Sequence, residues 1–114
     1  MTYSYEESVW GKGTAALQWS NPASFRLGRA LVVVDDAIKA GNAGKAQKAV
    51  LEIGCGAGQF IRAIKKLRPS LNCFGCDISN AALTSAKTYN DGVRYDVSGD
   101  TLPYADETFD VVCI

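Results

Sequence analysis

The sequence predicts an α/β domain built on a doubly wound parallel sheet. Three observations carry this. Short apolar runs of strand length alternate with segments of helical periodicity, the first clear strand runs directly into a glycine-rich turn, and that turn opens a helix. Strands that alternate with helices pair in parallel, because each crossover helix returns the chain to the same end of the sheet.

Residues 1–20 read as a polar and aromatic lead-in, with Tyr3, Tyr5, Trp10 and Trp19, ahead of a domain over 21–114. Gly11-Lys-Gly-Thr14 resembles a phosphate loop only superficially, since Gly13 interrupts the pattern and no strand precedes it, so a flexible loop is expected. Asn21 and Pro22 suit the cap and first turn of a helix, and Phe25, Leu27, Ala30, Leu31, Val34 and Ile38 supply its apolar face up to Gly41. Ala49–Ile53 is a buried strand. Gln59–Arg68 places Phe60, Ile61, Ile64 and Leu67 at helical spacing, and Pro69 stops it. Leu71–Asp77 is the second strand, Ser79 caps a helix over Asn80–Tyr89, and Asn90-Asp91-Gly92 is its exit turn. Val93–Val97 forms a weaker third strand. Pro103 and the pair Asp106-Glu107 mark a loop before a last apolar strand, Phe109–Ile114, which reads as sheet core.

At 114 residues the chain is one domain at most, and 47% hydrophobic residues are enough to offset the ordering entropy of folding. Twelve basic residues balance twelve acidic ones, which weighs against a nucleic-acid partner held through phosphate contacts. There is no histidine, which removes Ser-His-Asp and Cys-His triads, paired-histidine zinc sites and imidazole bases. The first residues lack a basic region followed by an apolar core, and no apolar run approaches a membrane span. A cytoplasmic setting with four reduced cysteines is expected. Cys73 and Cys76 lie within one strand, where positions three apart point to opposite faces, so they read as core and no metal site is expected.

The informative segment is Val50-Leu-Glu-Ile-Gly-Cys-Gly-Ala-Gly58. Glycines at 54, 56 and 58 let a ligand approach the backbone, and the following helix offers free N–H donors and a partial positive charge. The dinucleotide fingerprint requires its third glycine where Gln59 stands, so a nicotinamide-dependent oxidoreductase is disfavoured. Asp77 ends the next strand, 19 positions past Gly58. A carboxylate there can accept hydrogen bonds from both hydroxyls of a ribose, and with the loop it points to an adenosine ligand; alone, it reads equally as a helix-capping or solvated aspartate.

Leu51-Glu-Ile-Gly-Cys-Gly-Ala-Gly58, then Gly75-Cys-Asp-Ile-Ser79, then Leu102-Pro-Tyr-Ala-Asp-Glu-Thr-Phe-Asp-Val-Val112 resembles the class I S-adenosylmethionine-dependent methyltransferase superfamily, in its broad small-molecule group. The likeness runs from about Lys48 to the last residue and covers the N-terminal portion of that fold. It implies a Rossmann-like sheet, here the first four strands of a seven-stranded one in partial order 3-2-1-4, with the C-terminal part absent. It implies S-adenosylmethionine as cofactor and a small-molecule methyl acceptor. By the same resemblance Glu52 orients the methionine end; Gly54, Cys55, Gly56 and Gly58 wrap the amino-acid portion; Asp77 holds the ribose; and Ile78 lies against the adenine. Ser98, Gly99, Asp100 and Thr101 flank the adenine amino group. The chain departs from the family there, because the usual aspartate position four residues before Leu102-Pro103 is Ser98, and Asp100 stands two before.

The resemblance points to no catalytic base. It also leaves an alternative, a module that binds the cofactor without turnover. A last strand in mid-sheet would expose an apolar edge, so a further segment of chain or an oligomeric partner is expected to cover it.

Overall fold

The computed structural model describes residues 22–41, 44, 47–89 and 91–114. The aromatic lead-in, the Gly11–Thr14 segment and the Asn21 cap lie outside the described residues. The elements are α1 (Pro22–Ala40), β1 (Ala49–Ile53), α2 (Gln59–Leu67), β2 (Asn72–Asp77), α3 (Asn80–Lys87), β3 (Arg94–Val97) and β4 (Val111–Cys113). Ser79 caps α3 as its position predicts, its Oγ accepting the Ala82 N–H at 3.2 Å. At the end of α2 the Arg68 N–H donates to the Ile64 carbonyl at 2.8 Å, and Pro69 follows, unable to continue the ladder.

The four strands form one parallel sheet in the order β3-β2-β1-β4. Val50 pairs with Cys73 and Gly75 with Tyr95. The Val50, Cys73 and Tyr95 side chains pack on the helix side, where Ile61, Ile64, Leu83 and Ala86 complete the core. The opposite face carries Phe74, Tyr104 and Phe109 packed edge to face, with ring centroids 4.8–6.0 Å apart. α1 joins the α2 side, tied by a two-pronged Arg68–Asp35 ion pair at 3.0 and 2.7 Å.

Cys73 and Cys76 are both buried and free. Gly75 between them is a point of close approach: a Cβ there would stand 2.8 Å from Cys55 Sγ and 3.1 Å from the Tyr95 ring. β4 is shorter than the sequence suggests, three residues rather than the six of Phe109–Ile114. Phe109 leaves the ladder to pack on Phe74 and Tyr104. Asp110 closes the entrance to the β1–β4 pair, its N–H donating to the Ala49 carbonyl at 2.9 Å and its Oδ2 accepting the Ala49 N–H at 2.7 Å. β4 lies at the edge of the described sheet, and Val112 is 49% exposed.

Candidate cofactor site

Parallel pairing of Ile53 with Cys76 sets the carboxyl ends of β1 and β2 side by side, the position where open α/β sheets bind ligands. The chain leaves β1 in a turn that leans over β2. The Gly54 and Cys55 N–H groups both donate to the Cys76 carbonyl, at 2.8 and 3.0 Å, and the Gly58 N–H returns to the Cys55 carbonyl at 2.9 Å. Gly54, Gly56 and Gly58 have φ of 74°, 58° and 81°, a left-handed path open to glycine at no steric cost. No atom lies within 4 Å of where a Gly54 Cβ would be, so the turn presents bare backbone to open space.

Asp77 is built into this turn. Its Oδ2 accepts the Gly56 N–H at 2.9 Å, and its Oδ1 accepts the Ser79 N–H at 2.8 Å. A carboxylate has about four lone-pair sites, so the two backbone contacts fix the group and leave acceptor capacity for a further ligand.

Glu52 sits behind the turn on the helix face of the sheet. Its carboxyl is hydrogen-bonded by the Ile61 amide at the start of α2. Burial, opposed by that amide and reinforced by Asp77, pushes its pKa from 4.5 up to about 8. Among the described residues its buried Oε1 has no hydrogen-bond partner. A buried carboxyl with one oxygen left without a donor, beside a second acid, can accept a cationic donor. Cys55 is buried over Gly75, and burial first, then Glu52 and Asp77, push its thiol up to about 12. It is therefore a neutral spacer, not a nucleophile.

The other expected positions follow the strands outward. Ile78 is 78% exposed next to Asp77. Ser98 is buried, and its N–H donates to the Asp77 carbonyl at 3.2 Å. Gly99, Asp100 and Thr101 lie exposed on the segment after β3. The structure thus gathers Glu52, the glycine turn and Asp77 into one constellation, with Ser98 attached through the Asp77 backbone.

Two residues escape the sequence reading. Tyr95 points from β3 to the back of the turn, where a Cβ on Gly58 would collide with its ring and hydroxyl. Arg62 on α2 donates from Nη1 to the Ala57 carbonyl at 2.7 Å. The signal for Tyr95 is its place in the weaker third strand; a lone helical arginine gives none.

With this geometry established, residues 51–114 match the methyltransferase domain family. The chain belongs to that family. The match supports the class I S-adenosylmethionine-dependent methyltransferase superfamily, and the parallel sheet with flanking helices is the partial fold of such enzymes. Among solved structures, the plantazolicin methyltransferase BpumL, in complex with a pentazolic desmethylPZN analogue and SAH, superposes with a TM-score of 0.62 at 20% identity, over 94% of this chain and 43% of that one. CalS10, an amino pentose methyltransferase of calicheamicin biosynthesis from Micromonospora echinaspora solved with SAM bound, gives 0.60 at 18% identity, over 89% and 40%. A protein solved in connection with conversion of a disulfide bond into a thioacetal group during echinomycin biosynthesis gives 0.53 at 30% identity, over 73% and 34%. Among curated proteins no match was found. The chain spans less than half the length of these structural relatives. Among the described residues of this methyltransferase domain, no helix is long and apolar enough to cross a membrane, and no group of three potential metal ligands occurs.

Proposed function

We propose that the chain is the cofactor-holding part of an S-adenosylmethionine-dependent methyltransferase acting on a small molecule in the cytoplasm. The observation that carries this is the Asp77 carboxylate, bonded to the Gly56 amide on one oxygen and to the Ser79 amide on the other. Such a group, fixed by two amides and with acceptor capacity to spare, suits two ribose hydroxyls. Two further features fit the same ligand: the open backbone at Gly54 suits an amino-acid portion, and the unpartnered Glu52 Oε1 suits its α-ammonium.

Ile78 offers exposed apolar surface for the adenine, and Ser98, Gly99, Asp100 and Thr101, which follow β3 at the same end of the sheet, are the positions that would flank its amino group. When bound, the cofactor supplies a methyl group already activated on a sulfonium. The protein therefore has to align an acceptor in line with it and exclude water. Cover for the half-exposed β4 edge, from further chain or a second subunit, completes the reading. Titration with S-adenosylhomocysteine tests it, and stoichiometric binding is expected.

Glu52 adds a pH dependence. In the folded chain it keeps its proton up to about 8, whereas the unfolded chain loses it near 4.5. The folded state binds more protons in that window, so stability falls as pH rises through it and levels off above about 8. A ligand ammonium reverses the preference, so S-adenosylhomocysteine binding releases a proton and tightens over the same window. Calorimetry in buffers of different ionisation enthalpy should read release of nearly one proton at neutral pH, and Glu52→Gln should abolish it.

A further inference from the structure

The Arg62 side chain makes three contacts at once. Nη1 donates to the Ala57 carbonyl at 2.7 Å, Nε pairs with Asp91 Oδ2 at 3.0 Å, and the guanidinium lies over the Tyr89 ring, 3.8 Å from its centroid. The Asp91 contact is an ion pair rather than an aligned hydrogen bond. The pair is well shielded, with side-chain exposures of 12% and 26%. A planar guanidinium can stack and donate in two directions together, which a lysine cannot.

Ala57 stands between two glycines of positive φ, the most adjustable part of the turn. The peptide joining Ala57 to Gly58 is held at both ends: its N–H by the Cys55 carbonyl at 2.9 Å, its carbonyl by Arg62. The first contact is local and moves with the turn. The second is anchored on Tyr89 and Asp91, in the α3–β3 connection, and so ties the turn to a different part of the fold.

We infer that Arg62 is a positioning residue for cofactor binding, clamping the glycine turn from behind through the Ala57 carbonyl and anchored by Asp91 and Tyr89. Its role is positional. It acts by keeping the Gly56 amide against Asp77 before a ligand arrives, so that ordering of the turn is not charged to binding. This rests on the cofactor reading above.

The test compares S-adenosylhomocysteine affinity of Arg62→Met with that of Arg68→Met, which removes the α1–α2 ion pair remote from the turn. Ordering one released residue corresponds to about a tenfold loss of affinity, expected for Arg62→Met and absent for Arg68→Met. Arg62→Lys should recover part of the loss, and Asp91→Asn should lose a few-fold with the turn itself untouched. The Ala57 carbonyl carbon resonance should move in Arg62→Met and stay in Arg68→Met. Equal affinities for the two methionine variants, or wild-type affinity in both Arg62→Met and Asp91→Asn, would overturn the inference while leaving the cofactor reading intact. Failure of the unaltered chain to bind would overturn both.

Discussion

Replacing Asp77 with alanine is expected to lower S-adenosylhomocysteine affinity by about a hundredfold or more. Hydrogen bonds to a charged group contribute about 1.5–3 kcal/mol each, and two ribose hydroxyls are lost together. At about 1.4 kcal/mol per factor of ten, this reaches two orders of magnitude. The turn contributes further, because the Gly56 and Ser79 amides lose their acceptor as well. Asp77→Asn separates the two effects: its amide oxygen still accepts one of these donors, so the turn is partly kept while the charge is gone. Isothermal titration on both variants should rank wild type above asparagine and asparagine above alanine. Unchanged binding by Asp77→Ala would remove this residue from the site.

Gly58→Ala is the largest expected effect on stability. An L-residue in the left-handed region costs about 1–2 kcal/mol. The added methyl also has no room, since it would overlap the Tyr95 ring and hydroxyl, and overpacking of this kind costs about 1–3 kcal/mol more. Thermal unfolding should therefore drop by more than roughly 10 °C. Tyr95→Ala opens a cavity and is itself destabilising. In the double variant, however, the collision is gone and only the backbone strain remains, so the two substitutions should cost less together than their sum. Additive losses would mean that the two side chains do not meet.

The features legible in the sequence were those written locally. The strand Ala49–Ile53, the three glycines and the helix from Gln59 follow one another within twenty residues, and each element announces itself by period or by residue type. The parallel order β3-β2-β1-β4 follows from alternation and family likeness. What stayed hidden depends on contacts between distant segments. Arg62 on an amphipathic helix reads as a solvated charge until Asp91 and Tyr89 are brought beneath it. Glu52 is expected from the family likeness to meet the cofactor, but its raised pKa comes from burial under α2 and from Asp77 on the neighbouring strand, neither of which is written locally. The shortened β4 reflects Phe109 preferring an aromatic cluster to the ladder, a choice that requires Phe74 and Tyr104 to be in place.

In the proposed function the glycine turn and Asp77 hold an adenosyl amino acid and not a dinucleotide. Calorimetric titration of the chain with S-adenosylhomocysteine and, separately, with NAD tests it most directly. One-to-one binding of S-adenosylhomocysteine and no binding of NAD are expected, with Gln59 occupying the helix start where a dinucleotide site needs glycine. Saturable NAD binding, or no binding of either ligand, would contradict it.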